Sequence, residues 1–126
     1  MIVDDDKEFL EELCETLVLS GYEALIVNDP AEVFSKAARI KPDMIILDLK
    51  MKGITGFEVA NKLKNNNETM EIPIIAMSGF FNTKEDDTLF NFFDIRYYLH
   101  KPFNPLDIIA KIESVFKEGG KSGYRC

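Results

Sequence analysis

Short apolar runs alternate with longer segments of helical period along the chain. The runs are Met1-Ile2-Val3, Tyr22 to Val27, Met44 to Leu47, Ile74 to Met77 and Tyr97 to Leu99. They are rich in Ile and Val and mostly continuous, the pattern of strands buried on both faces of a parallel sheet. Between them the apolar positions take a helical spacing. Phe9, Leu10, Leu13 and Leu17 line one face of the first such segment, Val33, Phe34, Ala37 and Ala38 that of the second, and Ala60 and Leu63 that of the third. Leu106, Ile109, Ile112 and Phe116 form the stripe of the last. Start signals precede these segments. Asp29-Pro30-Ala31-Glu32 reads as an N-cap, a proline at the first helical position and a capping-box glutamate. Thr55-Gly56-Phe57-Glu58 repeats the box, Asn82-Thr83-Lys84-Glu85 is a third, and Asn104-Pro105 opens the last helix. The order is strand then helix, five times over. Right-handed crossovers make this an α/β fold, an open doubly wound parallel sheet with helices on both faces. Such sheets bind ligands at the C-terminal ends of their strands.

Composition narrows the picture. The chain has 126 residues, within the roughly 100–200 of one domain. Residues 1–117 are read as that domain. The glycine-rich stretch 118–126 has linker composition and is expected to be a flexible tail. Lys and Arg number 15 against 22 Asp and Glu, a net charge of −7. Nucleic-acid affinity rests largely on Lys and Arg, so direct nucleic-acid binding is not expected. No apolar run approaches the ~20 residues needed to cross a bilayer. Asp4-Asp5-Asp6 follows the first run at once, which is no signal-peptide pattern. Cys14 and Cys126 lie far apart without metal-ligand spacing. A reduced, cytoplasmic protein is therefore expected.

The strand ends hold the chemistry. Asp4, Asp5 and Asp6 follow the first run, Asp48 the third, Ser78 the fourth, and Lys101-Pro102 the fifth. Asn28-Asp29 after the second is accounted for by the helix cap. Carboxylates gathered at one edge repel each other and raise each other's pKa. A hard divalent cation resolves this, because Mg²⁺ takes oxygen ligands and favours one or two carboxylates plus a phosphate oxygen. A lysine and a hydroxyl beside it allow the site to hold a phosphoryl group. No His or Cys base stands among these residues, so the nucleophile must be one already ionised at neutral pH, as a carboxylate is. Asp48, alone on a central strand, is the candidate, and attack on a phosphorylated donor would give a labile acyl phosphate.

This constellation resembles the receiver domain of two-component response regulators, over roughly residues 1–117. The matching pieces are Val3-Asp4-Asp5-Asp6, Pro42-Asp43-Met44-Ile45-Ile46-Leu47-Asp48, Gly53-Ile54-Thr55-Gly56-Phe57-Glu58, Ala76-Met77-Ser78-Gly79 and Tyr98-Leu99-His100-Lys101-Pro102-Phe103. The resemblance implies a flavodoxin-like (βα)₅ sheet of strand order 2-1-3-4-5. It implies Asp48 as phosphoacceptor and Mg²⁺ (or Mn²⁺) as cofactor. Asp5 and Asp48 would bind the metal, Asp4 would act mostly through water, and the backbone carbonyl of Lys50 would complete the protein ligands. Ser78 and Lys101 would bind phosphoryl oxygens, Ser78 and Tyr98 would form the switch, and the Lys101–Pro102 bond would be cis. The implied partner is a sensor histidine kinase or phosphotransfer protein. The implied activity is the chain's own phosphorylation and dephosphorylation, without turnover as an enzyme.

Several positions depart from the family pattern. The first apolar run is short. Lys52 stands where a proline is usual, Gly79 where an alanine is, and Asp94-Ile95 where Gly-Ala is. Leu89, Phe90, Phe92, Phe93, Tyr97 and Tyr98 exceed what one helix face and a strand can bury, so a homodimer or partner contact through the fourth helix (84–93) and fifth strand is expected. Lys50 and Phe80 flank the approach of hydrolytic water and offer no carboxylate or amide to orient it, so slow self-dephosphorylation is expected. Asp6 is expected to cap the first helix, and His100 to face outward. An aspartate-nucleophile phosphatase would want a second Asp two residues after the nucleophile, where Lys50 stands. A flavin domain of the same sheet order would find its phosphate repelled by Asp4-Asp5-Asp6. The remaining alternative is a receiver-like interaction module acting without phosphorylation.

Overall fold

The computed structural model describes residues 1–50, 55–79, 91–92, 95 and 97–119. Lys52, Phe80, the Asn82-Thr83-Lys84-Glu85 box, most of the fourth helical segment and the tail beyond 119 lie outside them, as does the Ser78 side chain. The chain runs β1 (Ile2–Val3), α1 (Lys7–Leu19), β2 (Ile26–Val27), a 3₁₀ turn (Pro30–Glu32), α2 (Val33–Ile40), β3 (Ile45–Asp48), α3 (Gly56–Lys64), β4 (Ile74–Ser78), β5 (Tyr97–His100) and a C-terminal helix (Pro105–Gly119). The strands form one five-stranded sheet in the order β2-β1-β3-β4-β5. Every pairing in it is parallel.

The continuous apolar runs are explained by which side of the sheet each residue faces. Ile45 and Leu47 pack with Val33, Ala37, Val59 and Leu63 of α2 and α3. Ile46 packs on the other face with Leu10, Leu13 and Leu17 of α1 and with Ile108, Ile112 and Phe116 of the C-terminal helix. Both faces are covered, so β3 is buried along its whole length. A fully buried Leu, Ile or Phe contributes on the order of 1.5–3 kcal/mol, and residues of this kind form both layers.

The helix starts follow the side-chain chemistry. Asp6 caps α1, its Oδ1 accepting the Phe9 N–H at 3.2 Å. Thr55 caps α3, its Oγ1 accepting from Glu58 N at 3.2 Å. Asn104 Oδ1 accepts from Leu106 N at 2.9 Å before the C-terminal helix.

Three expectations are corrected. The second strand spans Ile26–Val27 rather than Tyr22 to Val27. It is an edge strand with one neighbour, and before it the pairing is broken: the Leu25 carbonyl accepts from Ile2 N at 2.8 Å, and Glu23 makes an isolated bridge. Asp29 does cap, taking the Ala31 N–H at 3.0 Å, but Pro30–Glu32 is a 3₁₀ turn and the α-helix begins at Val33. Of the stripe predicted for the last helix, Ile112 and Phe116 are buried and Ile109 packs partly buried against the same core, but Leu106 is 69% exposed and Ile108 and Val115 are buried instead.

Candidate functional site

The sheet register brings the charged strand ends together. Ile2 pairs with Ile46 and Val3 with Leu47. The residue after each member of the second pair is acidic: Asp4 follows Val3, and Asp48 follows Leu47 and closes β3. Lys101 follows directly on β5. One ligand oxygen from each of Asp4, Asp5 and Asp48 lies within 4.8 Å of the others. Asp5 is exposed, while Asp4 and Asp48 are buried at 1% and 4% exposure.

Lys101 supplies the opposing charge. Its Nζ lies 2.5 Å from Asp4 Oδ2 and 4.0 Å from Asp48 Oδ1. Backbone amides do the rest. Asp6 N donates to Asp4 Oδ1 at 3.1 Å, and Lys50 N donates to Asp48 Oδ1 at 3.2 Å. Burial and the neighbouring Asp4 push the Asp48 carboxyl up to about 6, against the pull of Lys101 and the Lys50 N–H, with Asp5 adding to the rise.

The carboxylate excess fits a divalent cation. Three carboxylates face one ammonium among the described residues of the site, and two of the three are cut off from water. Their donor set is all oxygen, which suits Mg²⁺ or Mn²⁺.

The other expected site residues are accounted for as follows. Lys50 stands beside Asp48, to which its backbone N–H donates. Ser78 ends β4, paired with His100 on β5. Tyr98 sits on β5 opposite Ala76 and is 45% exposed. The Lys101–Pro102 bond is cis. Asp6 is the α1 cap, and His100 is exposed. Of the aromatic surface expected next to β5, Phe92 is 77% exposed.

Two residues matter beyond those the strand-end rule selected. Gly56, at the start of α3, lies so close to the end of β3 that a Cβ there would sit 2.2 Å from the Asp48 carbonyl oxygen and 2.6 Å from Leu49 Cα. Its N–H donates to Leu49 O at 3.1 Å. Only glycine lets α3 approach the backbone that carries Asp48. The Gly in Thr55-Gly56-Phe57-Glu58 was a visible signal, but the capping box beside it gave no hint of this contact. The second is Phe9, whose ring lies 4.2 Å from Lys101 Nζ.

The family model of the response regulator receiver domain matches residues 1–113. The chain belongs to that family. It is 30% identical over 122 residues to the phosphate regulon transcriptional regulatory protein PhoB of Pseudomonas aeruginosa, covering 95% of this chain and 52% of PhoB. It is 29% identical to the polar-differentiation response regulator DivK of Brucella anthropi, covering 90% of this chain and 92% of DivK. The structure of chemotaxis protein CheY4 of Vibrio cholerae superposes with a TM-score of 0.84 at 27% identity, covering 90% and 94% of the two chains. The chain thus spans about half the length of PhoB and nearly all of DivK.

Proposed function

We propose that this chain is the phosphoacceptor domain of a two-component relay. It takes a phosphoryl group from a phosphohistidine of a sensor histidine kinase or phosphotransfer protein onto Asp48, with Mg²⁺ or Mn²⁺ bound. It then alters its surface around the fourth helical segment and β5. The observation that carries the reading is the Asp48 carboxylate, buried and 4.0 Å from the Lys101 ammonium, with two more carboxylates within 4.8 Å.

The chemistry follows from these groups. With its pKa at about 6, Asp48 is mostly ionised at pH 7 and needs no general base. One of its oxygens attacks phosphorus, the P–N bond of the donor breaks, and the electron pair leaves with the imidazole nitrogen. The product is an aspartyl phosphate. The Lys50 N–H fixes the orientation of the carboxylate. Lys101 stabilises charge on the phosphoryl oxygens, and the Ser78 hydroxyl is assigned to another of them. Asp4, Asp5 and Asp48, with the Lys50 carbonyl, would hold the metal. When bound, it neutralises the carboxylate excess and draws charge from the phosphoryl oxygens. Nothing in this set requires turnover beyond the chain's own modification and its reversal.

The test is incubation with Mg²⁺ and acetyl phosphate, followed by intact-mass measurement. The wild-type protein should gain one phosphoryl group. Asp48→Asn should gain none, and Asp4→Asn should bind Mg²⁺ more weakly and label partially. A wild type that stays unlabelled would return the chain to an interaction module without phosphorylation. Full labelling of Asp48→Asn would move the acceptor elsewhere.

A further inference from the structure

The ammonium of Lys101 has two kinds of neighbour. One is charged: Asp4 Oδ2 at 2.5 Å and Asp48 Oδ1 at 4.0 Å. The other is the face of the Phe9 ring, 4.2 Å from Nζ to the centroid. Phe9 is itself braced. Phe103 meets it edge-on, with centroids 6.0 Å apart and planes at 86°. The Phe9 N–H is tied to the α1 cap Asp6 at 3.2 Å. Phe103 lies two residues beyond Lys101, so one short segment carries both the ammonium and the brace.

These neighbours hold the cation differently. Asp4 is both the closest partner of Lys101 and a member of the three-carboxylate cluster. A divalent cation on that cluster competes with Lys101 for Asp4. A lysine freed from its carboxylate is a point charge on a flexible four-carbon stem. The ring attracts the ammonium through its quadrupole and carries no charge for the metal to claim. Its hold persists whichever cation occupies Asp4.

We propose that Phe9 is a positioning residue for Lys101. It keeps the ammonium beside Asp48 when Asp4 turns to the metal, which is when Lys101 must meet the phosphoryl group. The inference rests on the phosphoacceptor reading and adds to it a device built from α1 and the segment after β5.

The test compares Phe9→Leu, Phe9→Tyr and a series with mono-, di- and trifluorophenylalanine at position 9. Fluorine drains the negative face of the ring with little change in size, so those proteins keep the packing even if Phe9→Leu folds poorly. The first readout is the rate of phosphoryl uptake from acetyl phosphate with Mg²⁺. The second is the NMR shift of the Lys101 ε-methylene in the metal-free, donor-free protein, where a ring beneath it moves the resonance upfield. Uptake should fall roughly three- to tenfold in Phe9→Leu, fall stepwise with fluorination, and return in Phe9→Tyr. In a Lys101→Ala background, Phe9→Leu should cost nothing further. The upfield shift should vanish in Phe9→Leu and persist in Phe9→Tyr. Uptake indifferent to fluorination, an undiminished loss in the Lys101→Ala background, or a Lys101 resonance without ring shift in the wild type would each overturn the proposal. A wild type that takes up no phosphoryl group would defeat the phosphoacceptor reading and the proposed role with it. The NMR arm would still show whether the ring and the ammonium meet.

Discussion

Two lysine–carboxylate pairs in this chain look alike on paper and differ in kind. Lys36 and Glu32 stand one helical turn apart at the start of α2, at 3.3 Å, with side chains 31% and 50% exposed. Lys101 and Asp4 are brought together from opposite ends of the domain, at 2.5 Å, with side chains 26% and 1% exposed. The first joins two solvated groups, and such pairs contribute a few tenths of a kcal/mol. The second holds a carboxylate that water cannot reach, and Asp48 stands 4.0 Å away from the same ammonium. One cation thus serves two buried anions. Stability alone does not favour that arrangement, because a buried pair can often be replaced by apolar residues at no loss. A charge deficit maintained at the ends of two central strands makes sense as a seat for a further cation.

The comparison breaks most visibly at Lys101. Lys101→Ala leaves Asp4 and Asp48 buried with no opposing side-chain charge among the described residues, and removing one partner of a buried pair typically costs about 3–5 kcal/mol. Urea unfolding of the metal-free protein should show a loss of that order. Millimolar Mg²⁺ should recover much of it, since a ligand that binds only the folded state stabilises by mass action. A loss below about 1 kcal/mol would place Lys101 with ordinary surface lysines.

The next effect is a pH dependence. The folded Asp48 carboxyl is raised from 3.8 to about 6, chiefly by burial. Between those values the folded protein binds more protons than the unfolded chain, so stability falls as pH rises. The ionised group therefore lowers stability at pH 7, by at most about 3 kcal/mol at 1.36 kcal/mol per pKa unit. Asp48→Asn should be more stable than wild type at pH 7 without metal, and the gap should close towards pH 4. Chemical denaturation at both pH values, with Mg²⁺ absent and present, measures it. A gap that widens on acidification would reverse the assigned direction.

Smaller again is the cost at Gly56. A methyl there would press on the backbone of Asp48 and Leu49. Overpacking of this kind typically costs about 1–3 kcal/mol. Gly56→Ala should lower the unfolding midpoint and slow uptake at Asp48, because the strand end must shift to make room. Gly79→Ala is the control, since a Cβ at Gly79 meets nothing within 4 Å. Equal losses in the two variants would remove the close approach as the cause.

What could be read in the sequence was local or periodic. Continuous Ile–Val runs announced a sheet covered on both faces, and polar residues just past them marked the edge where Asp4, Asp48 and Lys101 meet. Asp6, Asp29 and Thr55 declared helix starts through side chains that act within three residues. What could not be read depended on distant neighbours. Apolar residues at 106, 108, 109, 112, 115 and 116 overfill one stripe, and contact with the sheet and α1 buries 108, 112, 115 and 116, keeps 109 at the edge of the core and leaves 106 outside. Gly56 is required by the backbone at 48 and 49, and Phe9 meets a lysine 92 positions later (101 − 9). No period or motif encodes such contacts.

The smallest effect completes the comparison. Glu32 precedes Lys36 by four residues, the favourable order for an ion pair on a helix. Lys36→Ala removes that pair, worth about 0.3–0.5 kcal/mol. Alanine is also the better helix former by a few tenths of a kcal/mol. The two changes oppose each other, and the carbonyl of Glu32 keeps its bond from Ser35 Oγ at 3.2 Å, so the turn stays anchored. Lys36→Ala should therefore unfold within about 0.5 kcal/mol of wild type at low salt. What pair energy exists should vanish near 1 M salt, where the screening length is about 3 Å. The Lys101→Ala deficit should survive the same salt, because buried charges are screened much less. Urea midpoints of both variants at low and high salt make the check. A salt-insensitive loss above about 1 kcal/mol at Lys36 would mean that exposure does not separate the two pairs.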